Sequence, residues 1–587
     1  MLIDSTAKVV WGCMPRFDGD PVFCSLLQGG SNERAVARNI LGKSESDESS
    51  FSVELTAMVR SEQEYIADTP ILVTRMFAAE GGGIEITDFA PRFENGGAPI
   101  CPALLVRIVK PISGEPMIRV RLTPTASYGC TMRPNLPDKV SNQISYPGDP
   151  ALRLATNAPL EAVINEDEFA LAESATLMFG SELIMGEVTL SGAELLERTI
   201  EYWRNWIGTL RIAPRWREAM VRSAITLKLN VFEETGAIIA AMTTSVPEAP
   251  DSGRTWDYRY CWPRDAYFVV SALARLGDLR TTERYLAWLL ARADASGEAL
   301  LKPLYAIDGG LIPDEHAAEC LSGYRGMGPV RIGNAAEEQI QHDLYGEAIL
   351  AAEPLFSASA GNRAGDEALF LRLEPLGENA ARLYDQPDAG LWELRGSMRV
   401  HTFSSVMCWA ACDRLSVYAT ALGLSDRAKH WRAHARRIHE EILRRSWNAG
   451  LNAFTASMEG DTLDASLLLM PRLGFLPAND PRFAGTVAAI ERDLKHSDFV
   501  YRYVEEDDFG LPENAFLVCT FWYIDALSRM GRDDEARSLF EKVLSSRNRH
   551  GLLAEDLDPH TRELWGNFVQ TYSMAGIIDA ALRLSVA

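Results

Sequence analysis

The chain has 587 residues, 47% of them hydrophobic, with 81 acidic against 58 basic residues and a formal charge of -23 at pH 7. That length exceeds what one core organises and predicts two or more domains, while the negative charge argues against nucleic acid and anionic membranes as partners and leaves neutral small molecules open. Nine cysteines without CxxC spacing, a start (MLIDSTAKVVWGC) that carries Asp4 and too short an apolar run for a secretory signal, and no uncharged apolar stretch of about 18 residues predict buried thiols, no disulfide framework, no zinc site and a cytoplasmic protein.

In chain order, residues 1–190 tend to alternate apolar and polar side chains. In MIRVRL, Ile118, Val120 and Leu122 point one way and Arg119 and Arg121 the other, which is the period of a half-buried strand. Gly81, Gly82 and Gly83, between LVTRMFAAE and IEITDF, predict a hairpin turn, and the region as a whole predicts an antiparallel β-sandwich. Residues 191–215 read as a helical linker that opens on Ser191 with Glu194 three positions later, as in a capping box. From 216 to 587 twelve helical segments are expected, near 216–233, 264–276, 280–294, 335–357, 366–384, 403–422, 425–446, 463–470, 481–494, 513–530, 533–547 and 567–584. Short turns such as 276–280 alternate with long loops such as 295–334 and 385–402, so an α+β chain is expected, whose second part is a barrel of six helical hairpins with its long loops gathered at one end.

The densest cluster of chemistry is WDYRYCWPRD, from Trp256 to Asp265. It offers aromatic faces for the C–H side of a sugar ring, an arginine fork and a carboxylate that can accept hydroxyls. Asp265 is equally well placed to cap the helix that follows. Two loops, GLWELRG with Glu393 and GLLAEDLD with Glu555, carry further acids. One protonated and one ionised carboxyl on opposite sides of a sugar are what glycoside hydrolysis needs, yet a chain with 81 acids places some of them so by accident, and the residues alone leave the assignment open. His430, His434 and His439 share an Arg-rich helix without HExxH spacing and read as a solvated face. Gly42, Lys43 and Ser44 resemble the end of a phosphate loop, but Ala37 stands where its first glycine belongs. Glu505, Glu506, Asp507 and Asp508 read as a solvated loop, with a substrate-facing rim or a calcium loop as alternatives.

WDYRYCWPRDA, GLWELRG, PVRIGNAAEEQ and GLLAEDLDPHTRELWGNF resemble glycoside hydrolase family fifteen, the glucoamylase and bacterial trehalase family, and PRFD at 15–18 resembles the N-terminal domain of its bacterial trehalase-like branch. The resemblance implies a β-sandwich followed by an (α/α)6 barrel. It makes Glu393 the general acid and Glu555 the general base, has Arg264 and Asp265 hold hydroxyls of the terminal glucose, has Trp262 and Trp392 bound that subsite, and has Tyr258 position the attacking water. Leu394 and Asp556 depart from the glutamate and glutamine of fungal glucoamylases, both towards the leaving-group site. The implied reaction inverts the anomeric carbon, needs no metal or organic cofactor, requires Glu393 to be protonated in an apolar neighbourhood, and sets the carboxyls about 6.5–9.5 Å apart. A small α-glucoside (trehalose, isomaltose or maltose type) is the expected partner, since the last expected helix leaves no room for a starch-binding domain. Inverting phosphorolysis and a non-catalytic glycan-binding protein are the alternatives, and the sequence does not give the oligomeric state.

Overall fold

The structure, a computed structural model, describes residues 1–29, 48–181, 190–357 and 365–586. Gly42, Lys43, Ser44 and Ala37 lie outside the described residues. The chain divides into two compact units, Met1–Thr209 with Ala317–Val330, and Leu210–His316 with Arg331–Ala587.

The first unit is built on two antiparallel sheets. One has six strands, in the order Leu2–Ile3, Val9–Cys13, Phe51–Leu55, Met117–Leu122 and Phe169–Ala170, with Pro21–Phe23 paired on Val9–Cys13. The other has eight, and Leu72–Ala78 and Gly83–Phe89 form the hairpin expected around the glycine triplet. Both sheets feed one core: Val9, Phe51, Ile118 and Val120 from the first meet Ile86, Leu105, Leu154 and Phe179 from the second. Ile118 and Val120 are buried, Leu122 packs against the same core, and Arg119 and Arg121 turn out to Glu168, Glu54 and Glu166. The alternation in MIRVRL therefore does what a half-buried strand requires.

Ser191 and Glu194 form the expected capping box: the Ser191 N–H donates to the Glu194 carboxylate at 2.8 Å and the Glu194 N–H donates to Ser191 Oγ at 3.3 Å. The helix they start, Gly192–Thr209, buries Leu195, Thr199, Trp203 and Ile207, one residue per turn. Leu195 joins Ile71, Phe89, Val106 and Ile108 in a second core on the eight-stranded sheet.

One expectation is corrected here. Cys130 and Cys320 form a disulfide, so the cysteines do include a crosslink, and cysteine usage no longer argues for a reducing compartment. Spacing could not reveal it, because the partners lie 190 residues apart and Cys320 belongs to the segment Ala317–Val330 that returns to the first unit. Of the other seven, five are buried. No helix among the described residues is long and apolar enough to cross a membrane.

In the second unit, helices fall into two kinds by their burial. Leu344–Ala351, Thr402–Ala421 and Leu517–Arg529 are buried almost all round, whereas Ser425–Arg445 buries only the stripe Ala428, Trp431, Ala435, Ile438 and Ile442. The buried elements touch in series: Pro263–Leu276 meets Leu344–Ala351, then come Thr402–Ala421, the 3-10 turn Ala465–Leu469, Leu517–Arg529 and Thr571–Val586, which returns to Pro263–Leu276. Three expected helices start late. Within 335–357, the 3-10 turn Ala335–Glu338 is capped by Asn334 and ends in extended backbone at Gln339, so the helix begins only at Leu344. Ala515–Phe516 is drawn into a strand with Asp556–Leu557, so that helix begins at Leu517. The segment Leu564–Trp565 extends the same small sheet, and the last helix begins at Thr571.

The first unit rests on one buried ion pair. Arg107 and Asp88 are cross-strand partners in the eight-stranded sheet; Arg107 is fully buried, donates to both Asp88 oxygens at 2.7 and 3.1 Å, and donates onward to the carbonyls of Phe51 and Ala7. Burial pushes the Asp88 carboxyl up and the Arg107 charge opposes it. Asp88→Asn, which leaves the guanidinium buried without a counter-charge, should cost about 3–5 kcal/mol. Denaturant unfolding of the full chain should show the first unit's transition at lower denaturant with the second unit's in place; an unmoved first transition would remove this pair as the anchor.

Candidate active site

Five of the six loops that precede the buried elements of the second unit send residues to one place. Residues 230–262, 331–343, 384–401, 494–516 and 546–570 all contribute to the lining of one cavity. The seven residues singled out in the sequence all line it.

Glu393 sits on one wall. The turn Gly390–Glu393 closes through Glu393 N–H to Gly390 O at 3.1 Å, and Gln339 Nε2 donates to Glu393 O at 3.0 Å. These bonds hold Glu393 at φ +60°, a left-handed conformation that a non-glycine residue adopts only when its surroundings impose it. Its side chain meets three N–H donors on one oxygen: Trp262 Nε1 at 2.8 Å, Arg264 Nη2 at 2.8 Å and Gln341 Nε2 at 3.4 Å, all to Oε1. The apolar neighbourhood expected for Glu393 is therefore corrected to a polar one. Oε1 is saturated by these three donors.

Arg264 is the hub of that wall. Nη1 donates to Asp343 Oδ2 at 2.9 Å and Gln341 Oε1 at 3.1 Å, while Nη2 holds Glu393. Burial alone would lower its pKa, but Asp343, Glu393, Glu347 and Asp265 outweigh burial and keep the guanidinium charged. Asp265 does not cap its helix: Trp262 is the N-cap residue without a side-chain bond, and Asp265 lies inside the first turn, lining the cavity. Burial pushes its carboxyl up to about 7, with Arg264 opposing and Glu393 reinforcing the rise.

Glu555 forms the other wall and is 1% exposed. Tyr258 OH donates to its Oε1 at 2.7 Å, and its backbone carbonyl accepts from Leu517 N–H at 3.0 Å. Burial raises Glu555 to about 8, and the neighbouring Glu248 adds to the rise. Glu248, Glu555 and Asp556 present oxygens within 4.8 Å of one another. Among the described residues it is the one place where three metal-binding types of side chain gather so closely, and the Arg502 guanidinium already serves it through Glu248. The rings of Tyr258 and Trp262, 5.4 Å apart, join the two walls, since one donates to Glu555 and the other to Glu393.

Trp392 donates to Asp464 Oδ2 at 2.8 Å and packs edge-on against Phe516. At the rim, Trp256 lies 4.9 Å from Phe509 and under the Arg395 guanidinium at 4.5 Å. Asp507 takes a bidentate pair from Arg254 at 2.8 and 2.6 Å, and Asp508 accepts the N–H groups of Arg395 and Gly396. Both acids line the cavity, whereas Glu505 pairs with Arg399. Leu394 lines it too. His434 and His439 are only partly buried, His430 is exposed, and His439 spends Nε2 on the Phe475 carbonyl.

Sequence reasoning missed Glu248, Gln341, Asp343, Asp464 and Arg502. PVRIGNAAEEQ was a usable pointer, because Asn334 and Ala336 from this motif line the cavity and Gln341 and Asp343 follow it directly. Nothing local marks Glu248 or Asp464 among 81 acids.

The model of glycosyl hydrolases family 15 matches residues 214–582. A trehalase of Thermoplasma volcanium is 30% identical over 594 residues, covering 100% of this chain and 92% of that protein. A trehalase of Mycolicibacterium smegmatis is 32% identical over 612 residues, covering 99% of this chain and 89% of the other. Among solved structures, a bacterial glucoamylase complexed with acarbose matches 92% of this chain and 88% of its own with a TM-score of 0.67 at 14% identity, which extends the likeness of fold over both units. The chain belongs to glycosyl hydrolase family 15 and is a glycoside hydrolase.

Proposed function

We propose that the chain is an inverting, exo-acting α-glucoside hydrolase of trehalase type, built as a β-sandwich followed by an (α/α)6 barrel, with Glu393 as general acid and Glu555 as general base. The closed series of six buried elements supports the barrel. Two carboxyls that line one cavity, linked through the contacting Tyr258 and Trp262 rings, carry the mechanism.

In an exo-acting pocket the terminal ring sits at the closed end and the leaving sugar points to the mouth. The acid must reach the glycosidic oxygen, and therefore lies nearer the mouth than the base. The Glu393 side chain is 21% exposed and Glu555 only 1%, which supports this order over the reverse, although burial lifts Glu555. Arg264 and Asp265 bind hydroxyls of the terminal glucose, and the Tyr258 hydroxyl orients the water against Glu555. Water oxygen bonds to the anomeric carbon as the bond from that carbon to the glycosidic oxygen breaks; Glu393 gives its proton to that oxygen and Glu555 takes one from the water. The net change is addition of water, with both carboxyls reset by solvent. The trehalase relatives and a rim in which Trp256, Phe509 and Arg395 offer room and contacts for a second sugar support trehalose as substrate.

Glu393→Gln and Glu555→Gln should each lower kcat on trehalose by at least about 100-fold with an unchanged circular dichroism spectrum, since each removes a proton transfer; near-normal turnover in either would reassign that residue. Gly566, at φ +76°, lies where a Cβ would come 2.6 Å from Glu555 Cβ and 2.8 Å from its Oε2. Gly566→Ala should displace the base and lower kcat by about 10–100-fold, as small misplacements of a reacting group do, and kinetics equal to wild type would show that Glu555 tolerates the shift. Proton NMR of the first product is the sharpest test: trehalose should yield equal α- and β-glucose before mutarotation, and isomaltose or maltose should yield β-glucose from the newly cut ring. Initial α-glucose alone rules out inversion, and glucose 1-phosphate formed only with added phosphate selects phosphorolysis.

A further inference from the structure

The wall around Glu555 holds more acid than the reaction uses. One base suffices to take a proton from water, yet three buried carboxyls lie within 4.8 Å of one another there. Glu248 is anchored by Trp256 Nε1 at 2.9 Å and by Arg502, with its carbonyl held by Asn514 Nδ2 at 2.7 Å. Asp556 is pinned by strand pairing with Phe516 and Trp565, at the position where the resemblance to fungal glucoamylases leads one to expect glutamine. Glu555 Oε2 and Asp556 Oδ2 are buried and accept no hydrogen bond. An ionised oxygen left this way is costly, and a protonated one much less so.

We propose that Glu248 and Asp556 are positioning residues for the base: the two acids crowd Glu555, so that it holds a proton and accepts one from water only after giving that proton up to solvent. The proposal rests on the reading of Glu555 as general base. Every charged neighbour bears on it. The Arg502 guanidinium faces three acids and cannot neutralise them all; Asp265 adds a further negative charge, Arg254 acts on Asp556, and Tyr258 OH donates to the Glu555 carboxylate. Burial first and Glu248 second push both Glu555 and Asp556 upward, Glu555 to about 8. The proton released to solvent leaves a carboxylate on Glu555; the proton taken from water restores the acid, and it departs again before the next turnover.

The sign of the pH dependence follows. A base works only when deprotonated, so kcat/KM on trehalose, which reports the free enzyme, should fall as pH drops through about 8. Removing a neighbouring negative charge eases ionisation of Glu555 and should move that limb to lower pH by about two units, the effect of a unit charge about 5 Å away at an effective dielectric near 20. The experiment is the pH profile of kcat/KM in wild type, Asp556→Asn, Glu248→Gln and Glu248→Asp, with Glu555→Gln as the control for the base itself. Asp556→Asn and Glu248→Gln should shift the limb down whatever the height of their plateaus, and Glu248→Asp, which keeps the charge, should hold it near the wild-type position. If Glu248→Gln fails to fold because Arg502 loses its acceptor, Asp556→Asn decides alone, since Asp556 Oδ2 has no bond to lose. A limb unmoved in the charge-removing variants, with Glu555→Gln inactive, overturns the proposal and leaves the base in place. An active Glu555→Gln overturns both.

Discussion

More carboxyls are buried around this cavity than there are cations to pair with them. On one wall Arg264 serves Asp343 and Glu393 directly and lies within the field of Asp265 and Glu347. On the other, Arg502 serves Glu248, with Glu555 and Asp556 beside it. Each guanidinium can pair well with one or two acids, and the remainder must stay protonated or pay the desolvation of a buried charge. Glu347 shows the result at its plainest: burial and then the Asp343 charge drive its carboxyl far above the ordinary range. Burial raises the Asp265, Glu555 and Asp556 carboxyls in the same way, and the few guanidinium groups nearby oppose that rise only in part.

The backbone makes that crowding possible. Acids from four loops line the cavity, and each of those loops ends on a buried element that packs on its neighbours in the closed series. Arg264 and Asp265 stand in the first turn of Pro263–Leu276, so helix packing fixes them directly. Glu393 has no helix to hold it. Its left-handed backbone is imposed by the Gly390 turn and by Gln339, a residue that is free to reach it because the chain leaves the 3-10 turn in extended form. Strain at Glu393 and the late start of the helix at Leu344 are consequences of one arrangement.

What could be read beforehand divides along physical lines. MIRVRL, the Ser191 and Glu194 cap and the helical stretches depend on local periodicity, and local periodicity survives in a single sequence. The helical second part was legible for the same reason. The polar surroundings of Glu393 were not, because Gln341 and Trp262 reach it from 52 and 131 residues away. The disulfide between Cys130 and Cys320 spans 190 residues and was missed for that reason too. Asp265 shows the intermediate case: its position near a helix start was readable, but whether its carboxyl caps the helix or faces the cavity depends on where Trp262 and Arg264 pack.

Crowding of acids also ties stability to catalysis. Glu555 has a folded-state value of about 8 against an ordinary 4.5. Between those values the folded chain binds a proton that the unfolded chain does not, so this group's contribution to stability is full below about 4.5 and is lost as pH rises through 8. The ionisation that turns Glu555 into a base is therefore one that the fold resists, and Asp556 resists it in the same direction. Tyr258 and Arg502 partly relieve the cost, since both favour the charged form of Glu555. A second cation in that wall would stabilise the ionised cluster further, but it would also weaken Glu555 as a base, because a carboxylate held by positive charge gives less affinity for the proton of water. Leaving the cluster short of cations keeps the base strong at the expense of the buried charge.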